Sequence, residues 1–216
     1  MSVDTCCAVI PDVTGRQRRV LQIVLALNSG MFLLELGTGL LARSTALVAD
    51  SADMLGDALV YGVSLYAVGR GAAWTARAAL LKGGLMAMFA VGVLGQVALK
   101  LARGAVPVAE VMGAVGLIAL AANALCVVLL WWLRNDDVNM RSAWLCSRND
   151  VVANVAVLLA AGVVWATGSG VPDLAVGLAI AAMFGSSAAR VLRDARHARR
   201  GAAATESATA AWRSIE

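Results

Sequence analysis

Charge is scarce in this sequence. Only 15% of its 216 residues are Asp, Glu, Lys or Arg, 60% are hydrophobic, and mean hydropathy is +0.77. Ordinary soluble domains carry about 25% charged residues, so that class is excluded. Aromatics are few as well, at 5%. The apolar weight falls on Ala, Val, Leu and Gly, small residues that let helices approach closely inside a membrane. Strand-like alternation is missing. The apolar runs last about twenty residues, which suits helices and not the roughly ten-residue alternating strands of a β-barrel. Histidine occurs once, at His197, so the chain has no histidine cluster. The four cysteines, Cys6, Cys7, Cys126 and Cys146, show no spacing of a disulfide framework. No serine or cysteine nucleophile has a histidine near it, which argues against hydrolases. Internal repeats are absent, and low complexity is confined to the tail "GAAATESATAA".

What is present is a series of six apolar segments, at residues 20–41, 45–69, 79–102, 107–133, 143–166 and 172–192. Each is long enough to cross a ~30 Å hydrocarbon core at ~1.5 Å per residue. The expected fold is therefore an all-α membrane protein, with six transmembrane helices in a compact bundle. The polar start runs into a spanning stretch rather than a short cleavable one, so no signal peptide is expected. If both ends lie on one side, that side collects 14 of the 18 Lys and Arg residues. Both termini are then cytoplasmic by the positive-inside rule. The net charge of +4 belongs to these loop ends and to lipid headgroups, not to nucleic acid. The expected division is a cytoplasmic tail over 1–18, a transport domain over 19–195 and a short cytoplasmic tail over 196–216 with no folded domain of its own. A compact chain without sorting signals suits a bacterial cytoplasmic membrane.

Against this apolar background, "ADSADMLGD" sets Asp50, Asp53 and Asp57 on one stripe of the second segment. A carboxylate at mid-bilayer costs from ~2.5 kcal/mol to several times that, and three together repel one another. Protons, an arginine or a metal cation can compensate. Polar glue between membrane helices is usually Ser, Thr or Asn, so a purely structural cluster is the weaker explanation. The fifth segment, "WLCSRNDVVANVAVLL", repeats the spacing, with Cys146 and Asp150 at i and i+4 and with Asn149 and Asn154 close to the same stripe. Two helices presenting two ligands each can enclose one ion at four positions, a count that suits tetrahedral Zn²⁺.

These stretches, "SGMFLLELGTGLLARSTALVADSADMLGD" and "SAWLCSRNDVVANVAVLLAAG", resemble the transmembrane domain of the cation diffusion facilitators, six-helix exporters of divalent metals, over residues 16–195. The resemblance implies a metal site at Asp53, Asp57, Cys146 and Asp150. It also implies that Asn28 and Glu35 of the first helix occupy polar positions common in the family, and that the dimer forms through the third and sixth helices. Cys146 departs from the usual His or Asp. The cytoplasmic ferredoxin-like domain common in the family is not expected here, so a homodimer would rest on membrane helices.

Metal ligation needs deprotonated carboxylates, so metal and protons compete for one site. A site that faces the two sides in turn becomes a metal/proton antiporter. Thiolate ligation favours Zn²⁺ or Cd²⁺, whereas an all-oxygen set favours Mn²⁺, Co²⁺ or Fe²⁺; Zn²⁺ and Cd²⁺ are the expected cargo, with no resident cofactor. Cys146 either ligates or packs as a small apolar residue. Asp50, Glu35, Asn28, Asn149 and Asn154 are expected to support the ligands or carry protons. Arg148 is about 200° around the helix from Asp150 and should snorkel to the interface. Cys126 reads as core, and the Trp residues as an interfacial belt. A passive cation channel and an intramembrane aspartyl protease are the competing classes. The protease expects a Gly-x-Gly-Asp context that "CSRNDVV" does not supply.

Overall fold

A chain this apolar has no water to satisfy its amides within a bilayer, so its backbone must bond internally as helices. The computed structural model describes residues 15–66, 72–136 and 138–183, with 185, 186, 189 and 193 beyond them, and it is all-α. The elements are α1 (Gly15–Leu41), α2 (Thr45–Tyr66), α3 (Ala72–Arg103), α4 (Ala109–Trp131) and α5 (Val138–Thr167), followed by α6 (Val171–Met183). The N-terminal tail through residue 14, with Cys6 and Cys7, lies outside the described residues. So do residues 67–69, most of 184–192, and the C-terminal tail with its His197.

Several helices outrun their apolar segments. α1 begins at Gly15, α3 at Ala72 and α5 at Val138, each several residues before hydropathy rises. Polar turns such as "GRQRR" keep the i to i−4 bonds intact, so hydropathy marks the part of a helix that meets lipid and not where the helix ends. Among the described residues, three helices are long and apolar enough to cross a membrane: Gly15–Leu41, Ala109–Trp131 and Ala143–Thr167. Ala87–Ala102 and Val171–Met183 are shorter apolar helices, and α2 is a continuous helix whose apolar run is broken by three aspartates. Six helices are thus present, of which three alone reach the length and hydropathy of a span.

α1 packs most closely on α2, and α4 on α5. Fewer contacts join α2 to α3, α1 to α4 and α2 to α5. Apolar side chains such as Leu33, Val91, Ile118 and Leu159 face outward, as expected of a surface solvated by lipid. Inside, the core splits. One apolar cluster gathers Leu47, Ala49, Ala52, Val93, Met112, Val115, Val157 and Ile180, while a second gathers Leu21, Val24, Tyr61, Leu130, Leu133 and Met140. Cys126 belongs to the second cluster and is fully buried, so it is core as its sequence context indicates. Along α2 the residues between the clusters include Asp53 and Asp57; along α5 they include Cys146, Asp150 and Asn154. Asp53, Asp57 and Asp150 therefore occupy a polar band between these two dry layers, shared with a small apolar group of Met31, Met54 and Ala119.

The connections at one end are tight. Ser44 N–H donates to Gly39 O at 2.8 Å, and Val108 N–H donates to Ala42 O at 3.0 Å. Arg43, between α1 and α2, is the one described non-glycine residue in the left-handed region, at φ 56°. At the other end Gln17 Nε2 donates to Asp136 Oδ2 at 3.3 Å, joining the start of α1 to the α4–α5 connection.

Candidate metal centre

The i, i+4 spacing on α2 and α5 puts each pair on one side of its helix, and the packing of α2 on α5 brings the two sides together. Asp53 is half-buried, and its carboxyl lies in hydrogen-bonding contact with that of Asp150. Asp57, Asp150 and Cys146 are buried, at 4%, 4% and 7% exposure. Tyr61, one turn beyond Asp57, donates its hydroxyl to Asp57 Oδ2 at 3.0 Å. Asp57, Cys146 and Asp150 all lie near enough to the Tyr61 hydroxyl to interact with it electrostatically.

One turn earlier on α2, Asp50 is fully buried. Its Oδ2 accepts from Asn154 Nδ2 at 2.7 Å, and Asn154 Oδ1 accepts from Asn123 Nδ2 at 3.2 Å. A chain of polar groups therefore crosses from α2 through α5 to α4. Glu35 on α1 is also fully buried. Asp50 and then Asp53 are the charged groups that act on it most strongly, and among the described residues neither of its carboxyl oxygens has a hydrogen-bond partner, nor has Asp50 Oδ1. Buried acids with unmatched oxygens are expensive, so a cation or protons must serve them. Asn28 is buried, donates to Val24 O at 2.9 Å and lies 3.9 Å from Cys126 Sγ.

Glu35, Asp50, Asp53, Asp57, Cys146, Asp150 and Asn154 thus meet in the band, with Asn28 at its edge. Asn149 does not join them. It sits on the exposed face of α5 beside Arg148, because one residue before Asp150 is already about 100° around the helix. Among the described residues, no three His, Cys, Asp or Glu side chains are drawn into a group that could hold a metal ion. The acids are near one another without forming a contracted cage.

Arg148 stays clear of the acids: its guanidinium lies 5.6 Å from the Trp144 ring. Trp144 meets Trp131 edge to face at 5.6 Å, and Arg134 stacks on Trp131 at 3.4 Å. Cationic side chains lying over interfacial aromatic rings anchor a helix end at the headgroups.

The model of the cation efflux transmembrane domain matches residues 21–198, most of the chain and all of the bundle except the first turns of α1. The chain belongs to this family. It is a multi-pass membrane protein that transports a divalent metal cation, and it is a transporter rather than an enzyme. No curated protein matches the chain.

Two participants escaped sequence reasoning. Tyr61 carried a signal, since it stands four residues after Asp57 on the same stripe. Asn123 carried a weaker one, a lone amide in an apolar helix.

Proposed function

We propose that this cation efflux protein exports Zn²⁺ or Cd²⁺ from the cytoplasm in exchange for protons, with all six helices spanning a bacterial cytoplasmic membrane and both termini on the cytoplasmic side. Asp53 and Asp57 on α2 with Cys146 and Asp150 on α5 would bind the ion. The observation that carries this reading is the contact of the Asp53 and Asp150 carboxyls across the α2–α5 interface, in a polar band between two apolar layers. Two acids in such contact repel when both are charged, and they are relieved either by a shared proton or by a cation. Exchange of one for the other at a single site is the elementary step of antiport, provided the site opens to each side in turn.

Asp50, one turn from Asp53, and Glu35 on α1, both with unmatched oxygens among the described residues, would carry protons or pass the ion onward, and Asn154 and Asn28 would hold the surrounding side chains. Asn149, being exposed, has no part. Cys146 supplies the soft donor that separates Zn²⁺ and Cd²⁺ from Mn²⁺, Co²⁺ and Fe²⁺. A homodimer through membrane helices is supported by α3, whose outward face carries Met88, Val91 and Leu94 beside Gly92 and Gly95. Nothing stands within 4 Å of a side chain built on either glycine, leaving room for a second helix.

The test is metal uptake into proteoliposomes holding an internal pH dye, with Zn²⁺, Cd²⁺, Co²⁺ and Mn²⁺ offered singly. Wild type is expected to move Zn²⁺ and Cd²⁺ with an opposite proton flux, and Asp57→Ala to fall to the protein-free rate. Cys146→Ala is expected to shift preference toward Mn²⁺ and Co²⁺. Metal flux without proton flux would instead identify a passive channel, and flux indifferent to Asp57→Ala would remove the site from these residues.

A further inference from the structure

One buried carboxylate gathers several helices at the end of the bundle that holds the α1–α2, α3–α4 and α5–α6 connections. Asp173, in the first turn of α6, is fully buried, and Lys100, near the end of α3, is 6% exposed; Lys100 Nζ donates to Asp173 Oδ2 at 2.7 Å. The same carboxylate receives Ser44 Oγ at 2.6 Å, the Thr45 N–H at 2.8 Å and the Ala46 N–H at 3.0 Å. Thr45 and Ala46 open α2, and Ser44 Oγ in turn accepts the Leu47 N–H at 3.1 Å. An acid of α6 therefore caps α2, where the helix dipole favours negative charge.

The approach is close. A side chain on Gly177, one turn further along α6, would lie 2.7 to 2.9 Å from atoms of Thr45. Five residues after this junction stands Asp50, the first acid of the polar band.

A buried ion pair is a poor choice for holding a static core, because desolvation offsets most of its attraction and an apolar pair serves as well. It suits a seam that is dry in one state and wet in another. When such a seam opens, both charges regain water, whereas apolar side chains resist opening. The position fits that use: α3 packs on α2 much less extensively than α1 does, and Lys100 to Asp173 to α2 bridges that lighter joint.

We propose that the Lys100–Asp173 pair is the closure of the ion path at this end, made in the conformation described here and broken when α2 moves to release the ion past Asp50. This rests on the transport reading above. Lys100 and Asp173 act by positioning α2 and not by ligating the ion.

The test is hydrogen exchange with mass spectrometry on the full chain in lipid nanodiscs, with Zn²⁺, Cd²⁺, Co²⁺ and Mn²⁺ each added alone, alongside the proteoliposome assay. In wild type, the transported metal is expected to change the exchange of the Thr45 to Leu47 amides. Lys100→Met is expected to raise their exchange about tenfold without metal, a factor that corresponds to ~1.4 kcal/mol, to make it insensitive to metal and to slow turnover. Lys100→Arg restores the wild-type pattern. If wild type carries metal while these amides keep the same protection with and without it, the pair is a fixed staple and the closure is overturned, with the transport reading intact. A uniform rise in exchange across all helices in Lys100→Met also overturns it. If no metal moves in wild type, both proposals fall together.

Discussion

Asp57 shows how a single buried acid is maintained. The Tyr61 hydroxyl supplies one donor at 3.0 Å, and the ring behind it is buried in the apolar cluster of α1, α2, α4 and α5. Tyr61→Phe keeps the ring and removes the donor, so the fold should persist while the charged carboxylate loses support. Outer-shell changes of this kind typically cost 10–100-fold in metal affinity. We expect Tyr61→Phe to weaken metal binding by about tenfold, measured by titration calorimetry, with an unchanged melting temperature. Asp53 and Asp57 were legible in the sequence because a carboxylate in an apolar run has no bland explanation. Tyr61 was not, because a tyrosine on an apolar helix is usually packing alone.

Where α6 meets α2, the two elements are in contact down to the backbone. At Gly177 an added methyl would press on the carbonyl carbon and oxygen of Thr45 at 2.8 and 2.9 Å, and backbone atoms cannot rotate away as a side chain's end can. Gly177→Ala should therefore destabilise the protein by about 1–3 kcal/mol, the usual cost of overpacking, and reduce transport by disturbing the start of α2. Gly30→Ala on α1 has nothing within 4 Å and should be neutral or slightly stabilising. Thermal melting of both variants in the same detergent decides the matter. The existence and order of the helices could be read from hydropathy, but their ends could not. The i to i−4 ladder continues through polar turns such as "GRQRR" that lie beyond the apolar stretch.

At the level of the whole molecule, the distribution of Lys and Arg argues for both termini on the cytoplasmic face. Tags fused to each end should be inaccessible to protease in intact cells and cleaved in inverted vesicles. Tags that differ in accessibility would mean an odd number of crossings. If both termini are cytoplasmic, the Lys100 and Asp173 end lies at the extracytoplasmic face, where the proposed export would release the ion.

The sequence by itself determined the class of molecule and singled out the acids within it. Long apolar runs require helices in lipid, and acids that cost several kcal/mol to bury announce a cation or proton site. The spacing of Asp53 with Asp57 and of Cys146 with Asp150 likewise assigned a shared stripe to each pair, because residues four apart on a helix are neighbours. Only the tertiary structure decided which stripes face each other. Asn154 was brought to Asp50 across 104 residues and Lys100 to Asp173 across 73, while Asn149 was turned outward. Helix periodicity is a local property of the chain, whereas the rotation of one helix against another is set by packing among residues that are far apart in sequence.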